Sequence, residues 1–358
     1  MKRLVDKLKN TQSLSKAEWV SMIDGRTPEI AEYLFKQARE VREKYYGKDI
    51  YIRGLIEFTS YCKNDCLYCG LRKSNCRAER YRLDKETVLA CCENGYSLGF
   101  RTFVLQGGED GYFNEERLCD LISSIKSKYP DCALTLSVGE KTYNEYLKFY
   151  ESGADRYLLR HETFDGQHYA KLHPESLSAE KRQECLWNLK KIGYQVGSGF
   201  MVGSPGQSAE HLAEDMMFLK KLNPQMVGIG PFIPQQNTPF GGEKAGTAEL
   251  TLYMIGLLRL MLPKVLLPAT TALGTVDSEG REKGILAGAN VIMPNLSPKE
   301  VRGKYLLYDN KLCTGDEAAE NLKKLKLKME SIGFRIVEAK GDSLNIEHSF
   351  NKGDNENV

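Results

Sequence analysis

Cys62, Cys66 and Cys69 stand in the stretch YCKNDCLYCG at C-x3-C-x2-C spacing. Three thiolates this close converge on one metal centre from a single loop. They are one ligand short of the set that closes a structural zinc site or a four-cysteine cubane. A cubane held by three cysteines keeps one iron free for a small chelating ligand. The competing reading is a zinc site with Cys76 as the fourth ligand. Zinc sites favour paired C-x2-C knuckles, and only Cys66 and Cys69 form one. Cys76 is therefore read as a bystander.

This spacing resembles the signature of the radical S-adenosylmethionine enzymes. The resemblance implies a 4Fe-4S cluster whose free iron takes the amino and carboxylate groups of S-adenosylmethionine. Electron transfer from that cluster then yields methionine and a 5′-deoxyadenosyl radical. Tyr68, just before the last cysteine, matches the aromatic residue common there.

The other six cysteines need no metal. Cys91, Cys92, Cys119, Cys132 and Cys185 lie in helix-like or strand-like segments and read as core thiols. Cys313 stands alone. The opening MKRLVDKLKN is charged, with no apolar h-region, and no apolar run reaches the roughly 18 residues of a spanning helix. A cytoplasmic protein with reduced thiols and no membrane partner is expected. Lys and Arg number 50 against 48 Asp and Glu, a net charge of +2 in 358 residues. That balance argues against bulk-charge binding to nucleic acid.

Positioning the cysteines requires a scaffold. The first fifty residues read as a helical extension, with Thr27-Pro28 as a helix start and Gly47 as a stop. Short apolar runs then alternate with amphipathic helices. The runs are 51–58, 101–106, 133–138, 155–161, 194–203, 225–232, 264–270 and 289–294. Such alternation implies a parallel sheet. Eight units over roughly 250 residues predict an α/β fold, a (β/α)8 TIM barrel spanning 51–340. A doubly wound sheet would carry a Gly-rich fingerprint after its first strand, where cysteines stand instead. Residues 341–358 read as a frayed tail.

Chemistry in such a barrel sits at the C-terminal strand ends. Strand two ends in Gln106-Gly107-Gly108-Glu109, a stretch whose glycines allow close backbone approach to a cofactor. Strand four ends in Arg160-His161-Glu162. That pair could bind a zwitterion and ribose hydroxyls, or form a rim ion pair. His161 reads as a satisfied rim histidine. Arg182, in the next helix, could reach a carboxylate. Gly197, Gly199 and Gly203 would let a flat ligand pack on strand five.

The stretches YCKNDCLYCG, LQGGED, DRYLLRHET, MVGSPGQ, MVGIGPFIP, PATTALGT and ANVIMPN occur in this order. Together they resemble the HydE family, the radical S-adenosylmethionine maturases of [FeFe]-hydrogenase, from about Ala31 to Cys313. Biotin synthase and methylornithine synthase are relatives on the same barrel and supply the alternative activity. The resemblance implies assembly of the diiron subcluster of the hydrogenase active site (the H-cluster). The substrate would be an iron–carbonyl–cyanide cysteine complex made by a partner tyrosine lyase, its cysteine sulfur attacked by the radical. A GTPase scaffold and a reductant such as ferredoxin or flavodoxin are the other implied partners.

By the same resemblance Cys62, Cys66 and Cys69 ligate the cluster. Gly107, Gly108, Glu109, Arg160, Glu162, Arg182 and Tyr305 bind S-adenosylmethionine. Gln106, Thr135, Arg156, Thr270, Thr271 and Met293 line the substrate cavity. Some family members carry a second cluster near the C-terminus. Here Cys313 is followed at the matching positions by Asn321 and Lys324, so a single cluster is expected.

Overall fold

A computed structural model describes residues 1–312 and 319–345. Its strands are β1 (Asp49–Ile52), β2 (Gly54–Thr59), β3 (Thr102–Gly107), β4 (Ala133–Ser137), β5 (Arg156–Leu158), β6 (Gln195–Ser198), β7 (Met201–Val202), β8 (Met226–Val227), β9 (Gly230–Pro231), β10 (Val291–Ile292) and β11 (Arg335–Val337). Six of them pair in parallel in the order β2-β3-β4-β5-β6-β8. Single parallel bridges complete the ring: Met226 with Leu266, Pro268 with Val291, and Leu55 with Asn295. The result is the closed α/β barrel of eight staves that the alternation implies.

The staves are less regular than the apolar runs suggest. The run 51–58 breaks at Arg53, so β1 pairs with β10 while β2 pairs with β3. The run 194–203 breaks at Gly199, where an added Cβ would lie 1.9 Å from the Gly228 carbonyl oxygen. Gly197 meets Leu158, and Gly203 meets Gly246. These glycines serve backbone packing in the barrel wall, which corrects their reading as a bed for a flat ligand. The stave at 264–270 is held by its bridges alone. β11 adds a parallel partner to β1 that the run pattern does not reveal.

Helices after the staves start on side-chain caps, among them Asp84, Asn114, Thr142, Ser178 and Thr270. The N-terminal extension forms helices Lys2–Thr11, Lys16–Asp24 and Pro28–Tyr46, the last capped by Thr27 and ended by Gly47 at φ 56°. It covers the helix Ala248–Met261. That helix is apolar on nearly all faces, as a helix buried all round must be. Gly256 lets it close onto Leu34.

Residues 341–345 are not frayed. Asp342 Oδ1 accepts from Arg156 Nη2 at 2.6 Å and from Gln195 Nε2 at 2.9 Å, and buried Ser343 donates to the Lys264 carbonyl at 3.0 Å. They close the floor of the barrel. The rest of the expected tail, and Cys313, lie outside the described residues.

Candidate functional site

The loop after β2 carries the three cysteines, each half-buried. Its shape is held from within. Arg80 donates to the carbonyls of Leu71 at 2.9 Å and Arg72 at 2.7 Å, and also to Ser60. Asp65 accepts from Arg72 Nε at 2.7 Å and from the Ser74 backbone at 3.0 Å. Gly108 is needed for the fit, since a Cβ there would sit 2.2 Å from the Tyr61 carbonyl and 2.7 Å from Cys62 Cβ. Close approach at this glycine is therefore to the cysteine loop itself.

All three thiols face one cavity of about 310 Å³ at the C-terminal end of the barrel. Burial raises every one of them; nearby cysteines further disfavour ionisation of Cys66 and Cys69, and Glu109 does so for Cys62. Cys69 is pushed up to about 12. Three buried thiols with raised pKa values suit a cationic cluster, which reverses that penalty when thiolate binds it. Among the described residues, no three His, Cys, Asp or Glu side chains are grouped as a single metal ion needs. Cys76 is exposed and joins no such group.

Around the thiols the cavity collects Gln106, Gly107, Gly108 and Glu109 from the end of β3. Arg160 and Glu162 reach it after β5, Arg182 from the helix Ala179–Ile192, and Thr270 and Tyr305 from the far side. Glu162 holds φ 65°, a conformation rare for a residue with a side chain. Its amide donates to the Gly199 carbonyl at 3.1 Å, and its carbonyl accepts from Met201 N at 3.2 Å. Arg160 pairs with Glu162 at 3.0 Å, and Arg182 with Glu140 at 2.8 Å. Yet Arg160 Nε, Glu162 Oε2, Arg182 Nε and Glu140 Oε1 are buried without an aligned hydrogen bond. Glu109 Oε2 is another. Glu109 Oε2 does have Lys63 Nζ at 3.3 Å. Buried groups of both signs around one cavity, held in ion pairs but short of well-aligned hydrogen bonds, fit a zwitterionic ligand.

Four expected substrate residues do not line this cavity. Thr135 and Arg156 sit a layer lower, with Arg53, in a small space that Leu158 shares with the cavity above. Arg156 is drawn down by Asp342. Thr271 opens the helix Thr271–Val276, and Met293 packs against Met226, Leu266 and Val291 inside the barrel. Spacing identifies a strand end but not how far below the mouth a side chain is held.

His161 is fully buried between Ser198 Oγ at 3.0 Å and Asp215 Oδ1 at 3.1 Å, a packing role. Glu140, Tyr308 and Arg53 escape sequence reading. Glu140 had one visible signal, its place at the end of the β4 run.

His168 and His173 are buried as well, and desolvation holds both below the usual histidine value, His173 at about 3. Unfolded histidine protonates near 6.5. As pH falls, the unfolded chain takes up these protons first, so stability present above about 6.5 is lost progressively below it. We expect a lower Tm at pH 5.5 than at pH 7.5, the histidine loss outweighing the opposite contribution of the buried Asp215 and Glu140 carboxyls, whose values burial raises. Equal Tm values at the two pH values would show that these rings ionise freely in the fold.

The Radical SAM superfamily matches residues 56–219. 3-Methylornithine synthase of Methanosarcina barkeri is 31% identical over 338 residues, 93% of each chain. The crystal structure of a methylornithine synthase superposes with a TM-score of 0.80 at 27% identity, covering 93% of this chain and 97% of that one. The [FeFe]-hydrogenase maturase HydG of Carboxydothermus hydrogenoformans shares the fold at a TM-score of 0.76 and 22% identity, covering 93% of this chain and 78% of that one. No helix among the described residues is long and apolar enough to cross a membrane. The [FeFe]-hydrogenase maturase subunit HydE of Thermotoga maritima is 47% identical over 282 residues, 79% of this chain and 80% of that protein. On that similarity the chain belongs to the HydE family of radical S-adenosylmethionine enzymes, which use a 4Fe-4S cluster and S-adenosylmethionine.

Proposed function

We infer that this enzyme acts on an iron–carbonyl–cyanide cysteine complex during assembly of the hydrogenase diiron subcluster. The observation that carries this reading is the single cavity: three thiols on one wall, buried arginine and glutamate side chains of both signs beside them, and a buried arginine with spare donors beneath. Arg53 is wholly buried; its Nη1 donates to the Met226 sulfur, the Asp342 carboxylate acts on it from below, and Nε and Nη2 keep no hydrogen bond. A buried guanidinium with spare donors favours an anionic or acceptor-rich ligand nearby, as a cyanide-bearing complex is.

When bound, the reduced cluster and S-adenosylmethionine supply the deoxyadenosyl radical. In this reading Cys62, Cys66 and Cys69 hold the cluster. Arg182 and Arg160 face the carboxylate of the methionine moiety, while Glu162 and the Gly107–Glu109 segment face its ammonium. Gln106 and Thr270 line the substrate side with neutral groups. Thr135, Arg156, Thr271 and Met293 support that side from the layer below or behind. Tyr305 stays with the cofactor-binding set; it lies by the Gln106 side chain, and burial keeps its hydroxyl neutral, so it offers a hydrogen bond without carrying charge.

The test is anaerobic reconstitution followed by reduction with S-adenosylmethionine present. Deoxyadenosine formation should rise when the iron–carbonyl–cyanide cysteine complex is added. Methylornithine formation from an amino acid would instead support the alternative favoured by the 31% relative. A colourless protein holding zinc would leave only a scaffold role. In cells, hydrogenase matured without this enzyme and partner maturases should lack its diiron subcluster. Ferredoxin or flavodoxin is the reductant class to supply.

A further inference from the structure

Tyr68 sits between two of the motif cysteines, is half-buried, and lines the cavity. Its hydroxyl lies 3.2 Å from His173 Nε2, and the two rings meet edge to face at 5.4 Å. The other ring nitrogen of His173, Nδ1, lies 3.0 Å from the Tyr169 carbonyl oxygen. A carbonyl only accepts, so Nδ1 carries the proton and Nε2 presents a lone pair. The Tyr68 hydroxyl must therefore donate to His173.

The same end of the helix Gly166–Leu172 grips the loop a second time. Leu67 N donates to the Leu172 carbonyl at 2.9 Å. His173 also stacks on the Tyr169 ring at 3.8 Å and 19°. The Tyr169 hydroxyl is buried without a hydrogen bond and close enough to the Arg182 guanidinium for each to affect the other's ionisation, and Glu140 pairs with that guanidinium at 2.8 Å. One packed chain of side chains thus joins the cluster-loop tyrosine to the arginine at the zwitterion site.

We propose that His173 is a positioning residue: by accepting from Tyr68 and stacking on Tyr169, it sets the cluster loop and Arg182 in register for S-adenosylmethionine. This rests on the cofactor site described above. His173 touches neither cluster nor cofactor and acts through its two neighbours. Removing its acceptor frees the half-buried Tyr68 hydroxyl to seek another partner in the cavity, which displaces the ring or the loop.

The test compares His173→Phe, His173→Gln and Tyr68→Phe in the reconstituted enzyme. His173→Phe should keep its iron content and cluster absorbance. Its KM and dissociation constant for S-adenosylmethionine should rise about tenfold, with kcat for deoxyadenosine changed far less. The electron paramagnetic resonance of the reduced cluster should differ from wild type only with S-adenosylmethionine present. His173→Gln, which restores an acceptor, should recover most of the affinity. In a Tyr68→Phe background, His173→Phe should add little, because the donor is already gone.

Unchanged affinity and resonance in His173→Phe would overturn the proposal. So would full additivity of the two substitutions. If His173→Phe does not fold, the Gln variant and the Tyr68→Phe cycle carry the same comparison. Failure of the wild-type enzyme to form deoxyadenosine would instead count against the cofactor site itself.

Discussion

Replacing Cys66 with alanine should abolish deoxyadenosine formation, with a loss beyond about a thousandfold, roughly 4 kcal/mol of barrier. The proposed cluster has three protein ligands, and among the described residues no neighbouring thiol can take over. Cys76 is exposed, outside the cavity, and separated from the site by a loop pinned through Arg80 and Asp65. Iron content should fall with activity. The Tm of the apoprotein should hardly move, since the loop keeps its internal hydrogen bonds. Cys76→Ala is the control and should retain both cluster and activity. Deoxyadenosine formation by the Cys66→Ala enzyme, or its loss in Cys76→Ala, would reassign the ligands.

The second large effect is on stability. Lys311 Nζ lies 2.7 Å from Glu57 Oε1, and Asn295 Nδ2 donates to Glu57 Oε2 at 2.9 Å. Both charged side chains are almost wholly buried, at 5% and 0% exposure. Lys311→Met strands the Glu57 carboxylate inside the barrel, at a cost of roughly 3–5 kcal/mol. Adding Glu57→Gln removes the stranded charge and should restore most of the loss. Denaturant unfolding of the two single variants and the double variant measures this. A double variant as unstable as Lys311→Met alone would mean that packing, not charge, is what Lys311 provides.

The pair also has a place in the site. Lys311 ends a strap that crosses the barrel mouth with Tyr305, Leu307 and Tyr308 facing the cavity. Gly70 donates to the Leu307 carbonyl at 2.8 Å, and Asp309 accepts from Gln236 N at 2.9 Å. Gly70 must lack a side chain, because a Cβ would come within 2.0 Å of the Leu306 carbonyl. Lys311 lies 5.2 Å above the Tyr305 ring, so loss of the ion pair also loosens that tyrosine.

The parts of this enzyme legible in its sequence are those encoded by short spacing. Cysteines at C-x3-C-x2-C must share a loop, and apolar runs between amphipathic helices must form a parallel barrel. Arg160 and Glu162 follow a recognisable strand and arrive where expected. What escapes depends on partners far apart in the chain. Lys311 meets Glu57, Arg156 meets Asp342, and His173 meets Tyr68; no local pattern marks any of these as a pair. Arg156 shows the same limit, because Asp342, in the last described residues, decides its depth. β11 escaped because three residues carry too little periodicity to read.

Residues 341–345 pack under Arg156, and the layer of side chains above them leaves only a space of about 10 Å³, so the barrel is filled at that end. Molecules therefore exchange with the cavity through the mouth, past the strap. Spent methionine and deoxyadenosine must then clear the same doorway that admits the next substrate, so turnover is a queue rather than a flow-through. Cutting the chain before Asp342 would take the stopper out, leaving Arg156 without its carboxylate and opening the lower layer to water.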